Sequence, residues 1–232
     1  MCVSTRSGGV SEPPYAALNL GLSTGDRAAA VRENRDLLRR TLQLDAMSWH
    51  LLKQVHGRRV VATGQVGGPA PEADGLWTSE ANRVLVVGVA DCVPAFIWDS
   101  QRCAVALVHA GWRGTAAGIV CAAVEMLRAA GSQPNDLWLA LGPSIGACCY
   151  EVGGEVCEAL PDAVVHTSEG RTHVDLRRAN RLQALGCGIP ETQMATDPPC
   201  TACRTSLFFS HRKQGPKTGR QWALAWMTSR PD

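Results

Sequence analysis

LVHAGWRGTAAGIV, residues 107–120, is the stretch on which the reading of this chain turns. A run of strand-forming residues ends at His109, passes through AGWRG and enters a helix of small residues. The alanines and Gly118 let such a helix approach a sheet closely. Two readings of the polar centre are open. One is a strand-to-helix turn that happens to be polar. The other is a metal ligand, His109, beside an anion clamp, Arg113.

Upstream, short strands are expected at WHLLKQV (49–55), RVVAT (59–63), LWT (76–78), VLVVGVA (84–90), AFIW (95–98) and AVALVH (104–109), with GQVGGPAPEADG (64–75) as a loop. Before them, RSGGVSEPPYAALNLG (6–21) reads as a structured loop. A helix over 27–44 follows Asp26 as its N-cap, with Val31, Leu38 and Leu42 on one apolar face. Downstream, a helix covers about 115–130, and the strand LWLALG (137–142) leads into the loop PSIGACC. Further helices are expected at 154–160 and 175–186, the latter stopped by Gly186. FFSHR (208–212) and QWALAWM (221–227) read as two strands joined by the turn KQGPKTGR. Strands cluster with few helices between them. That argues against a doubly wound parallel sheet and for a mixed-sheet α+β sandwich. No repeat, low-complexity tract or linker breaks the chain, so one domain over 1–232 is expected.

The 232 residues are 45% hydrophobic and 19% charged, a globular composition with room for a well-buried core. A net charge of +2 provides no broad field for nucleic acid or a membrane surface, so neither is expected as a partner. Anion binding must come from locally placed arginines. MCVSTRSGGVSEPP lacks the apolar core of an export signal, and VLVVGVA is too short to span a bilayer. A cytoplasmic location with reduced thiols is therefore the expectation for the ten cysteines. Cys103, Cys121, Cys157 and Cys187 sit in apolar runs and read as core filler.

Three residues of metal-binding type stand at expected strand ends: His56 in KQVHG, Cys92 in ADCVP and His109. Each is followed within two residues by Gly or Pro. Three nitrogen or sulfur ligands with an open fourth position make a catalytic zinc site. Their spacing matches no compact zinc-finger pattern, so solvated histidines and a buried cysteine remain the alternative. Asp74, Asp91 and Arg113 give the three polar company, and Asp91 could orient a ligand histidine or simply cap its turn. Arg113 could bind an anion with the free N–H groups of the helix behind it, or sit in a surface salt bridge. PPCTAC (198–203) contains the P-C-x-x-C element of zinc nucleobase deaminases, but none of the six histidines has Glu two residues on. A lone C-x-x-C falls short of a four-ligand zinc site, and nothing in the spacing enlists Cys148-Cys149. Thioredoxin-like chemistry would want the pair opening a helix after a strand.

RSGGVSEPPYAALNLG, ENR, KQVHG, EADGLWT, ADCVPAFIWD, VHAGWRGTAAGI, LGPSIGACCYEVGGEV, CTACRTSLFFSHR and TGR occur in this order. Together they resemble the bacterial YfiH-type family, whose members carry the names polyphenol oxidase (laccase-like), purine nucleoside phosphorylase and peptidoglycan editing factor. The likeness runs from about residue 4 to 227. It implies a layered α/β/β/α sandwich resembling the catalytic domain of cytotoxic necrotizing toxins. It also implies that His56, Cys92 and His109 match the metal-ligand positions, with zinc the usual ion and copper the alternative. Arg113, Arg212, Asn19, Arg35 and Cys149 match positions expected to bind substrate or phosphate. Tyr150 and Cys200 match family positions without an assigned role, and Cys203 departs from the family pattern.

The activities this resemblance implies are phosphorolysis of adenosine, inosine, guanosine and methylthioadenosine, and deamination of adenosine. The partners would be a small-molecule nucleoside and phosphate, with a monomer favoured. Three other activities are weighed: a zinc amidase that removes mis-incorporated serine from a muramyl peptidoglycan precursor, a cysteine hydrolase built on Cys92 and His109, and a copper polyphenol oxidase. A zinc-stabilised binding protein is the non-enzymatic alternative.

Overall fold

The computed structural model describes residues 1–64, 69–168 and 170–228. Its strands are β1 (Cys2–Val3), β2 (Ser48–His50), β3 (Val60–Ala62), β4 (Gly75–Thr78), β5 (Arg83–Val89) and β6 (Val93–Asp99), then β7 (Val105–Ala110), β8 (Leu137–Leu141), β9 (Val165–Ser168), β10 (Arg171–Val174), β11 (Met194–Ala195) and β12 (Gln221–Ala225). The helices are α1 (Ala28–Leu42), α2 (Trp112–Ala116), α3 (Ile119–Ala129), α4 (Gly154–Ala159), α5 (Leu176–Gly186) and α6 (His211–Gln214). A four-stranded sheet runs β1-β12-β5-β2, and a six-stranded sheet runs β11-β8-β6-β7-β4-β3. Both are mixed, with β2 parallel to β5, β3 parallel to β4 and β11 parallel to β8 among antiparallel neighbours. The fold is mixed α+β, as expected.

Strand alternation sorts the apolar residues into three layers of core. Val93, Ala95 and Ile97 of β6, Ala106, Val108 and Ala110 of β7, and Leu137, Leu139 and Leu141 of β8 pack with α3 and α5. The opposite faces of the same strands, with Phe96, Val105 and Leu107, meet Leu85, Val87 and Val89 of β5 and Ala223 and Ala225 of β12. The far face of the small sheet, through Val84, Val86, Trp222 and Leu224, packs on Leu38 of α1 and on Leu18, Leu20 and Leu44. Central strands covered on both faces explain why VLVVGVA and AVALVH are continuous apolar runs rather than alternating ones.

Several expectations are corrected. The helix over 115–130 is two helices: α2 begins at Trp112, and Gly118, at φ +82°, breaks the path before α3. Asp26 does not cap α1; it accepts from Ser11 and Asn19 instead, and Arg27 stands at the N-cap without a side-chain bond. The strand expected at 49–55 ends at His50, and beyond it the Gln54 amide grips both the N–H and the C=O of Gly88. FFSHR is not a strand. Phe209 is buried with its N–H and C=O bonded by the Gln221 side chain, and Ser210 caps the short α6 through the Lys213 N–H. With a side chain taking the place of a ladder, β12 pairs instead with β1 and β5. Of the loop expected at 64–75, residues 65–68 lie outside the described residues. Among the described residues no helix is long and apolar enough to cross a membrane.

Candidate active site

The inter-sheet face does not stay apolar to its end. Counting by twos from Leu76, Phe96 and Leu107 along β4, β6 and β7 reaches Asp74, Cys92 and His109. Cys92 lies where the chain leaves β5 in the small sheet and enters β6 in the large one, a corner turned with Asp91 at φ +89°. His56 arrives from the loop before β3 with φ +60°. The ligand atoms of His56, Cys92 and His109 all lie within 4.8 Å of one another. Gly111 makes room for them: a Cβ there would stand 3.1 Å from the Cys92 Sγ and 3.2 Å from His56 Cδ2.

Asp74 organises the group. Its carboxylate is fully buried and accepts the N–H groups of Val55 at 3.2 Å, His56 at 2.9 Å and Gly57 at 2.7 Å. It also lies 2.9 Å from His109 Nδ1, which leaves Nε2 of that ring for the cluster. A buried carboxylate needs such partners, and these four bonds hold the His56 loop to the end of β7. Burial pushes the Asp74 carboxyl up, but His109 and the N–H donors outweigh it and hold the group below its usual range. Burial likewise opposes charge on Cys92 and on His109. Their mutual attraction, with help from His56 and Asp74, draws the thiol down and the imidazole up. This donor set fits a zinc-type ion with three protein ligands. Asp91, the other candidate to orient a ligand, is engaged elsewhere, accepting from Thr201 Oγ1 at 2.6 Å and from the Arg212 N–H at 2.7 Å.

Beside the cluster is a cleft of about 540 Å³ lined by Trp112, Tyr150, Glu151, Val152, Gly153, Val156 and Arg212, a size suited to a small ligand. The Arg212 guanidinium lies over the Tyr150 ring at 5.1 Å and bonds the Glu151 carbonyl. Burial, with the Cys92 charge nearby, pushes the Tyr150 hydroxyl up to about 12. Arg113 sits in the first turn of α2, stacked 4.1 Å over Trp112 and paired with Glu155 at 3.2 Å. A second cleft, of about 380 Å³ along the end of α3, carries no cysteine or histidine.

The structure adds Arg220, from the TGR segment. It is half-buried and its guanidinium bonds the Thr218 and Gly219 carbonyls; burial draws its pKa down against the opposing pull of Cys92 and Asp91. TGR is one of the segments that carry the family resemblance, but the sequence assigned its arginine no role. Three expected site residues sit elsewhere. Asn19 is fully buried, donates to Thr24 and Asp26 and accepts from the Gly21 and Arg220 N–H groups, which uses its whole bonding capacity. Arg35 lies between α1 and the small sheet, bonded twice to the Leu20 carbonyl and stacked 4.5 Å over Trp222. Both are engaged within the protein rather than open to a substrate. Cys149 turns its sulfur to Cys203, 3.4 Å away, in a second group with Cys148 and Cys200. That group brings the C-x-x-C and the Cys148-Cys149 pair together, which spacing gave no reason to expect.

The family described as multi-copper polyphenol oxidoreductase laccase matches residues 1–228. The chain belongs to that family. The YfiH-type resemblance is thereby borne out. It is 38% identical over 240 residues to a Geobacillus stearothermophilus protein named purine nucleoside phosphorylase YlmD, covering 96% of this chain and 88% of that one. It is also 38% identical over 229 residues to purine nucleoside phosphorylase Rv2149c of Mycobacterium tuberculosis, covering 97% and 90%. The crystal structure of YlmD from Geobacillus stearothermophilus superposes with a TM-score of 0.93 at 36% identity, covering 98% of this chain and 91% of that one. That of Bacillus licheniformis YfiH gives 0.92 at 36%, covering 97% and 91%.

Proposed function

We propose that this protein is a purine nucleoside phosphorylase acting through a zinc ion held by His56, Cys92 and His109, and that the same site deaminates adenosine. The observation that supports it best is the imidazole–thiol–imidazole group beside a cleft rimmed by arginine and aromatic side chains, in a chain 38% identical to proteins named purine nucleoside phosphorylase. Adenosine, inosine, guanosine and methylthioadenosine are the nucleosides the reading includes. It treats the chain as one catalytic domain working as a monomer.

When bound, zinc supplies Lewis-acid polarisation. The remaining work falls to the chain. Arg212 and Arg113 hold the phosphate anion. Arg113 must leave Glu155 to do so, which costs little because exposed ion pairs are worth about 0–1 kcal/mol. Trp112 and Tyr150 offer apolar faces to the purine and exclude water from it. In phosphorolysis a phosphate oxygen bonds the ribose carbon as the glycosidic bond breaks, and the purine departs with a proton. That is chiefly a matter of positioning and charge. In deamination water adds to the purine ring and ammonia leaves. Incubation of zinc-loaded protein with adenosine and phosphate should yield adenine, ribose 1-phosphate and inosine. No turnover above a Cys92→Ala control would overturn the reading.

A second reading has an observation of its own. Cys92, His109 and Asp74 stand in the order thiol, imidazole, carboxylate, which adds a carboxylate to the Cys92–His109 pair expected of a cysteine hydrolase. It predicts activity that survives chelation and is abolished by thiol alkylation. Amide hydrolysis would suit the same zinc, and release of serine from the muramyl-serine precursor would move the assignment there. Laccase chemistry would need several histidine-rich copper sites. Among the described residues only one three-residue cluster contains histidine at all.

A further inference from the structure

The sulfur group outside the active site has the dimensions of a metal centre. The Sγ atoms of Cys148, Cys149, Cys200 and Cys203 all lie within 4.8 Å of one another. Cys148 is 3.8 Å from Cys149 and 3.7 Å from Cys203, and Cys149 is 3.4 Å from Cys203. Four sulfurs placed about 2.3 Å from one zinc ion form a tetrahedron with edges of roughly 3.8 Å. The backbone around the group is built to match. Cys200 Sγ accepts the Gly146 N–H at 3.2 Å. Bonds of this kind stabilise a thiolate and orient it as a ligand. Ser144 and Cys200 pair as a parallel bridge, and the Thr201 N–H meets the Ser144 carbonyl at 3.0 Å. Arg177 clasps Ser144 through both its hydroxyl and its carbonyl, which brings a positive charge beside a centre that would carry excess negative charge.

Packing gives no competing reason for the group. A cysteine that fills a core is buried, whereas Cys148 and Cys203 are exposed. Four thiols facing one another at a surface gain little apolar burial, and their sulfurs repel once ionised. We propose that Cys148, Cys149, Cys200 and Cys203 form a second metal centre, a closed tetrathiolate zinc site that staples the loop after β8 to the segment before α6. The site shares no residue with the His56–Cys92–His109 group. All four positions are taken by protein, so its role is structural. What it holds is the wall of the active site. Tyr150 follows Cys149 directly, and Thr201, inside the C-x-x-C, bonds Asp91 next to Cys92.

Metal analysis of full-length protein prepared under reducing conditions tests the proposal independently of any activity. In a His56→Ala/His109→Ala background we expect one tightly held zinc per chain. Replacement by cobalt should give the intense sulfur-to-metal absorption of a tetrathiolate site. Adding Cys148→Ser and Cys203→Ser to that background should remove both the zinc and the absorption. Cys203→His alone in the same background should keep the zinc, because three thiolates and one imidazole make an equally good structural site. That variant guards against loss through misfolding. No zinc in the two-histidine variant while its circular dichroism matches wild type overturns the proposal. So does a disulfide between any two of the four cysteines in protein isolated with thiols blocked.

Discussion

Asp74 and Asn19 are both buried polar side chains with four internal bonds, yet they do different work. Asp74 connects the loop of one cluster histidine to the ring of the other, so Asp74→Asn should weaken zinc binding roughly 10- to 100-fold, the usual cost of losing a partner behind a metal ligand. Competition with a chromophoric chelator measures this, and unchanged affinity would show that His109 is oriented by something else. Asn19 ties the 6–26 loop to Arg220 and contacts no part of the cleft. Asn19→Ala strands several buried partners and should cost about 2–4 kcal/mol in urea unfolding. A loss below about 1 kcal/mol would refute that structural role. At this scale the sequence was partly legible. His56, Cys92 and His109 could be picked out as metal-type residues at expected strand ends, and the structure brings them together, His56 from a loop rather than a strand. Asn19 and Arg35 could not be told from ligand contacts, because a polar residue in a loop looks the same whether it bonds a substrate or its own backbone.

Elements were read better than their ends. Most of the expected strands and helices exist, since apolar runs and capping residues are local signals. Two of the failures share a cause: a side chain doing what a backbone ladder does elsewhere. Gln54 replaces the end of one expected strand, and Gln221 holds Phe209 out of another. The break at Gly118 depends on a left-handed backbone, which the sequence permits but does not announce. The turn from β7 into α2 yields a sharper test. Gly111→Ala would press a methyl group against Cys92 and His56, so the cluster must spread. We expect zinc affinity to fall at least 10-fold with little change in the far-ultraviolet circular dichroism. Wild-type affinity in that variant would mean the cluster tolerates more room than its geometry indicates.

Over the whole molecule, two sheets are joined face to face with helices outside them, and the active-site candidates occupy the polar end of the inter-sheet layer. Leu107→Ala, in the middle of that layer, should destabilise the protein by about 2–5 kcal/mol. A cost under about 1 kcal/mol in urea unfolding would place the main core elsewhere. The mixed α+β class was legible from clustered strands, but the passage of the chain from one sheet to the other between β5 and β6 was not. That crossing is what sets Cys92 opposite His109. The cysteine group was hidden for the same reason: Cys148 and Cys203 stand 55 positions apart, and only the pairing of their loops unites them. The measurement closest to the central claim is the formation of ribose 1-phosphate from adenosine and phosphate as zinc is returned to metal-stripped protein. Formation that rises with zinc in the wild type and stays at background in Cys92→Ala is the predicted result; equal formation in Cys92→Ala, or none at any zinc concentration, would contradict it.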